Sequence, residues 1–153
     1  MPGSEVAGVV RSAPEGSSFA AGDRVGYMGG RPGAYAEAGV VRAGSAVKLP
    51  DWVDTRTAAA ALLKGMTAEM LLRRVYPVQG GDTILVHAAA GGVGLILCQW
   101  AKALGVTVIG TVGSAEKAEL ARAHGCEHVV LYRDEDVAAR VKEITGGAGV
   151  PVV

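Results

Sequence analysis

Residues 84–94 read Ile-Leu-Val-His-Ala-Ala-Ala-Gly-Gly-Val-Gly. An apolar run passes straight into small residues, and a helix-forming stretch opens at their end. Few folds accept that order. A strand that turns into a helix this abruptly needs small residues for the tight turn and for close packing of helix on strand. The spacing Ala89-x-Gly91-x-x-Gly94 is that of a dinucleotide fingerprint with alanine in the place of the first glycine. In that reading Gly91 and Gly92 let the backbone approach a pyrophosphate whose charge sits on the helix N-terminus. Gly94 lets the helix lie close to the strand. The strand–turn–helix context gives the match its weight; the bland alternative is a tight turn that binds nothing.

Downstream the chain alternates regularly, with a helix over 93–104, a strand over 107–111, a helix over 115–124, a strand over 128–132 and a helix over 136–144. Gly105 and Gly125 fall just past helix ends, where a left-handed residue is wanted. Strands alternating with helices of this length define βαβ units on a parallel sheet, an α/β architecture. The final residues, 150–153, read as a fourth strand just starting, so the sheet looks cut off.

Upstream of the strand at 83–87, Asp54 can cap a helix through residues 58–63, which Gly65 interrupts. A second helical stretch, 67–75, ends before Pro77. The first fifty residues are different. Short β-prone runs at 6–10, 24–27, 34–41 and 47–49 are separated by turn clusters at 14–18, 22–23 and 29–33. They predict a small antiparallel barrel or sandwich. With one Phe and two Tyr among them, these residues bury little and must lean on something else.

Composition removes several classes. The 15 Lys and Arg balance the 15 Asp and Glu, so no electrostatic footprint for nucleic acid or an anionic membrane is present. No apolar run reaches the roughly 20 residues of a membrane-spanning helix. Residues 1–10 contain Glu5 and no basic segment, which argues against a signal peptide. Two cysteines, Cys98 and Cys126, are too few for a disulfide framework and point to a reducing, cytoplasmic setting. The 23 glycines are about twice the ordinary share of roughly 7% and imply many tight turns.

The choice of nucleotide follows from the second strand's end. A site for NAD wants an acid there to hold the ribose 2′-hydroxyl. Residues 110–114 are Gly-Thr-Val-Gly-Ser, with no acid. Ser114 offers a hydroxyl, and Lys117 lies near where a 2′-phosphate would sit. Tyr132-Arg133, after the third strand, can stack on adenine or add a donor. Glu116 is assigned to the first turn of the following helix, where it complements the dipole. The expectation is NADPH, with a solvated helix face as the other reading of Lys117.

These residues carry a family resemblance. His87-Ala88-Ala89-Ala90-Gly91-Gly92-Val93-Gly94 and Cys98-Gln99-Trp100-Ala101-Lys102-Ala103-Leu104-Gly105 resemble the bacterial NADPH:quinone oxidoreductases. These are the zeta-crystallin branch of the medium-chain dehydrogenase/reductase superfamily. Gly110-Thr111-Val112-Gly113, Leu63-Lys64-Gly65-Met66-Thr67-Ala68, Gly22-Asp23-Arg24-Val25 and Pro2-Gly3-Ser4-Glu5-Val6-Ala7-Gly8 extend the likeness over nearly the whole chain. The resemblance implies part of a GroES-like catalytic domain over 1–50, connecting helices over 51–78, and the first half of a Rossmann cofactor domain over 79–153. It implies that Gly92, Val93, Gly113, Ser114, Lys117 and Tyr132 contact NADPH in a loop shaped by Gly91 and Gly94. It places Thr67 and Met70 near the nicotinamide, helix core being the other reading of Met70.

The same resemblance bears on metal. Zinc alcohol dehydrogenases of this superfamily carry Gly-His-Glu where this chain has Gly3-Ser4-Glu5, and serine is a poor zinc ligand. No cysteine precedes Gly22, and the four-cysteine structural lobe is absent. His124 and His128 straddle Gly125 and share no helical face. The expected chemistry is therefore metal-independent hydride transfer from NADPH to a quinone, with no membrane or nucleic-acid partner. Half the family's length is missing, including the segments that commonly form a homodimer contact. The 153-residue chain is expected to bind NADPH weakly and to be a poor catalyst alone. The alternatives are an enoyl or 2-alkenal reductase of the same superfamily and a non-catalytic NADPH-binding or structural protein.

Overall fold

The computed structural model describes residues 2–28 and 33–153; most of the turn read at 29–33 lies outside them. The chain divides into two compact units, Met1–Leu63 and Lys64–Val153.

In the first unit the described residues form a three-stranded antiparallel sheet in the order β1 (Glu5–Val9), β2 (Arg24–Met28), β3 (Ala46–Lys48). Gly26 sits at its centre, opposite Ala7 on one side and Val47 on the other. A Cβ there would stand 3.0 Å from Leu62 Cδ2 and 3.3 Å from Leu49 Cδ2, so a bare backbone is what lets those leucines close over the strand. Arg24 ties the sheet to the following segment, donating from Nη1 to Val53 O at 2.8 Å and from Nη2 to Pro50 O at 3.0 Å. Residues 34–41 are not a strand, contrary to their β-prone composition. Backbone N–H groups at the start of this stretch are engaged by Gly3 O and Pro2 O, while Tyr35 is 79% exposed and Val40 fully so. β propensity measures fit to a half-buried pleated surface, and no described strand offers these residues one.

Helix α1 (Thr55–Met70) starts where Asp54 accepts the Thr57 N–H at 2.8 Å and the Thr57 hydroxyl at 2.7 Å. It runs through Gly65 without interruption. A lone interior glycine costs a helix about 1 kcal/mol relative to alanine, too little to end one of sixteen residues. A single wide π-type turn, Leu71–Val75, follows and closes with Tyr76 N–H donating to Leu71 O at 3.1 Å. Pro77 forces Tyr76 into extended geometry and so fixes the end.

The second unit holds a parallel sheet in the order β4 (Thr83–Val86), β5 (Thr107–Val112), β6 (His128–Leu131), linked by α2 (Gly92–Ala103) and α3 (Ala115–Ala123) and followed by α4 (Val137–Ile144). Strand periodicity sends alternate residues to opposite faces. Ile84, Val86 and Val108 pack with Leu97 and Ala101 of α2 and with Ala118 and Ala121 of α3. Leu85, Ile109 and Val130 pack on the other face with Val141 of α4. Both faces are covered, which is why β5 is buried along nearly its whole length. Residues 150–153 do not form a strand. They contribute one ladder bond, Leu85 N–H to Val152 O at 3.1 Å, on the edge of β4 away from β5. The order therefore reverses at β4, as in a Rossmann-type half-sheet, and the carboxyl end of β4 is the switch point where such sheets bind ligands. Among the described residues no helix is long and apolar enough to cross a membrane.

Candidate functional site

The carboxyl end of β4 is built around one unusual residue. Ala88 has φ +52°, the one non-glycine residue with positive φ among those described. That conformation costs roughly 1–2 kcal/mol for an L-residue. It turns the Ala88 carbonyl toward the start of α2, where it accepts the Gly91 N–H at 2.7 Å. Ala89 is then fully buried, its N–H donating to Thr111 O at 3.1 Å, so the loop is pinned to β5. His87 reinforces the link through Nδ1 and Thr111 Oγ1, 3.0 Å apart.

The glycines of this loop answer to contacts within the chain. A Cβ on Gly94 would run into Ala88 O and stand 2.8 Å from Ala89 backbone carbons, so helix and loop could not meet. On Gly91 it would stand 3.0 Å from Ala88 O. On Gly92 it would meet Lys64 Cδ at 2.8 Å and Cε at 2.9 Å. Across the sheet, Gly110 admits both Ala89 Cβ and Cys126 Sγ, which a Cβ would approach to 2.6 and 2.5 Å. Beneath it lie the buried thiols of Cys98 and Cys126. Interaction with the Cys126 thiol, with burial adding to it, pushes the Cys98 thiol well above its ordinary range, so Cys98 is no activated nucleophile.

The first turn of α2 has Gly91 at its N-cap with no side-chain cap. Among the described residues no acceptor meets the N–H groups of Gly92, Val93 or Gly94. A helix start in this condition carries a partial positive charge and open donors. A second helix start lies at the end of β5. Ser114 caps α3, its Oγ accepting from Lys117 N–H at 3.4 Å. The missing side chain of Gly113 leaves room for Tyr132, whose Oη would be 2.7 Å from a Cβ there, with Arg133 Nε at 3.5 Å. Tyr132 is held by its N–H to Val112 O at 3.2 Å and is half-exposed. Lys117 occupies the third position of α3, where the dipole favours an acid.

The structure thus gathers Gly91, Gly92, Val93 and Gly94 at one loop and Gly113, Ser114, Lys117, Tyr132 and Arg133 at the next. Thr67 follows Lys64 by one helical turn and is half-buried, whereas Met70 is 45% exposed and is no core residue. An open cleft of about 530 Å³ adjoins the gathered residues at Ala90 and Lys117, its other walls being Glu116, Glu119, Leu120 and Ala123. A second cleft, of about 410 Å³, lies at the opposite, amino end of the strands, at Thr83, Thr107 and His128. Two features escape the sequence pattern. The left-handed residue is Ala88 rather than a glycine, and Lys64 approaches the loop from a helix nearly thirty residues upstream. The Lys-Gly-Met-Thr motif marks that helix without marking what the lysine touches.

Residues 92–153 match a family described as zinc-binding dehydrogenase. Cys98 and Cys126 are buried free thiols, Cys126 Sγ donating to His128 O at 3.1 Å, His124 Nδ1 lies 2.8 Å from Leu120 O, and no cluster of three His, Cys, Asp or Glu exists among the described residues. The quinone oxidoreductase of Pseudomonas aeruginosa is 55% identical over 152 residues, covering 99% of this chain and 47% of that protein. A 2-haloacrylate reductase from Burkholderia is 46% identical over 154 residues, covering 99% and 46%. The structure of Escherichia coli quinone oxidoreductase complexed with NADPH superposes with a TM-score of 0.95 at 48% identity, covering 99% of this chain and 47% of that one. The chain spans about half the length of the curated relatives it matches. Along nearly its whole length the chain is thus a homologue of quinone oxidoreductases, over the half of those proteins that it spans.

Proposed function

We propose that the chain binds NADPH and belongs to a metal-independent oxidoreductase that reduces a quinone. The observation that carries the reading is the pair of helix starts at the carboxyl ends of adjacent parallel strands, an uncapped one at Gly92–Gly94 and one capped by Ser114 beside Lys117. The first has uncapped N–H groups suited to a pyrophosphate; the second has a hydroxyl, an ammonium and a phenol suited to a 2′-phosphate and adenine. When bound, NADPH supplies the hydride. In this reading the first turn of α2 orients the pyrophosphate. Ser114, Lys117 and Tyr132 select the phosphorylated ribose, and Thr67 and Met70 border the nicotinamide. A quinone is already electron-poor and accepts hydride without a Lewis acid, and serine at position 4 is a poor zinc ligand. Residues 1–50 supply part of a GroES-like catalytic domain, and the setting is a reducing compartment.

A second reading has a specific support. The 2-haloacrylate reductase, at 46% identity, acts on a different electron-poor acceptor, so an activated alkene is the alternative substrate class. Cofactor choice is tested first. Titrating the purified chain with NADPH and NADH should show tighter binding of NADPH, and Lys117→Ala should erode the preference. Equal affinity for the two nucleotides, or none for either, would overturn the reading.

A further inference from the structure

We infer that Arg133 is a second cation for the 2′-phosphate, working with Lys117 to select NADPH. This rests on the NADPH reading above and adds to it a residue from the end of the third parallel strand. The geometry begins at Gly113, which directly follows β5. In a strand, successive side chains leave on opposite faces. Past Leu131 the chain turns instead, the Asp134 and Glu135 N–H groups both donating to Leu131 O at 2.9 Å. Glu135 closes this turn by accepting the Leu131 N–H through Oε1 at 2.7 Å. The neighbours Tyr132 and Arg133 therefore reach the same point. From the position of a Cβ on Gly113, Tyr132 Oη would be 2.7 Å away and Arg133 Nε 3.5 Å. The guanidinium thus lies over the bare Cα that separates β5 from the Ser114 cap of α3.

Charge gives that placement its use. A phosphate monoester carries about −1.5 to −2 at neutral pH. At the start of α3, Glu116 and Lys117 are sequence neighbours that line one cleft, so their charges offset. Lys117 by itself leaves such an anion under-compensated. Other charged groups nearby are engaged: Glu119 pairs with Arg122 at 2.6 Å, and Glu135 with Arg140 at 2.9 Å. Arg133 is exposed and, among the described residues, meets no carboxylate at ion-pair distance, the adjacent Asp134 included. Its planar fork of donors matches phosphate oxygens two at a time, which an ammonium cannot do. Gly113 then has a purpose beyond its turn. A side chain there would push Tyr132 and Arg133 off the end of β5.

Ligand pairs that differ only at the 2′ position isolate this role. Calorimetric titrations of the 153-residue chain would use adenosine 2′,5′-bisphosphate against adenosine 5′-phosphate, and NADPH against NADH. Wild type, Arg133→Met and Arg133→Lys would be compared. Methionine keeps an unbranched stem over Gly113 and removes the charge. Arg133→Met should weaken the bisphosphate and NADPH by about five- to tenfold and leave adenosine 5′-phosphate and NADH within about twofold. Arg133→Lys should recover part of that loss, because the charge returns without the fork. Unchanged bisphosphate and NADPH binding in Arg133→Met would overturn the inference while leaving the NADPH reading intact. An equal loss for all four ligands would assign Arg133 a structural or stacking role and overturn it too. A wild-type chain that binds the bisphosphate no better than adenosine 5′-phosphate, and NADPH no better than NADH, would overturn both.

Discussion

Glycines that look alike in the sequence have opposite energetic meanings at the residue scale. Gly94 is required, because a Cβ would collide with Ala88 O and with Ala89 backbone that cannot move without unpinning the loop from β5. Gly65 is not required, since its Cβ would meet nothing within 4 Å in the middle of α1. Gly94→Ala should therefore destabilise the chain by about 3 kcal/mol, as overpacking of a rigid contact does. Gly65→Ala should stabilise it by roughly 0.5–1 kcal/mol through helix propensity. Urea unfolding followed by circular dichroism measures both, and similar effects of the two substitutions would refute the distinction. Gly94 was legible from its spacing, as the residue that lets helix lie on strand. Ala88 and Lys64 were not, because a positive φ in a non-glycine residue and a contact between distant segments leave no local pattern.

Elements were read best where the determinant is local. Asp54, Ser114 and Asp136 cap α1, α3 and α4 through side-chain oxygens that accept an N–H three residues on. Residues 34–41 and 150–153 went the other way, since a strand exists only where another backbone answers it. Asp54 offers a test of a cap's contribution. Hydrogen bonds from the Thr57 N–H and then the Thr57 hydroxyl hold its carboxyl below the usual carboxylate range. A depressed folded-state value means the contribution is complete above the unfolded value of about 3.9 and is lost as pH falls through the lower, folded one. Asp54→Ala should reduce stability at neutral pH, with the deficit shrinking in acid. Asp54→Asn should retain most of the stability, because the amide oxygen still caps, and should remove this part of the acid dependence. Denaturant midpoints between pH 2.5 and 7 decide it; an unchanged acid dependence in Asp54→Asn would assign it to other carboxylates.

On the scale of the whole molecule, the distribution of burial sets what each unit can do by itself. The βαβ pattern was legible because both faces of β5 carry continuous apolar residues, and the structure buries Val108, Ile109, Val112 and Val130 completely or nearly so. The small antiparallel sheet was legible only in outline, and the sequence reason is the same in reverse. With one Phe and two Tyr it has little to bury, and Ala58 is the one buried apolar side chain among the described residues of Met1–Leu63. Each buried Val or Ile of the parallel sheet contributes about 1.5–3 kcal/mol, so opening that sheet requires most of the stability the chain possesses. Opening β1–β3 exposes mainly half-buried side chains and requires far less. Amide hydrogen exchange should therefore be slowest at Val108, Ile109, Thr111 and Val130. The amides of β1 and β2 that pair across the sheet should exchange at least about 100-fold faster despite equally regular ladders. Equal protection in the two sheets would mean that the antiparallel sheet draws its stability from something other than its own side chains.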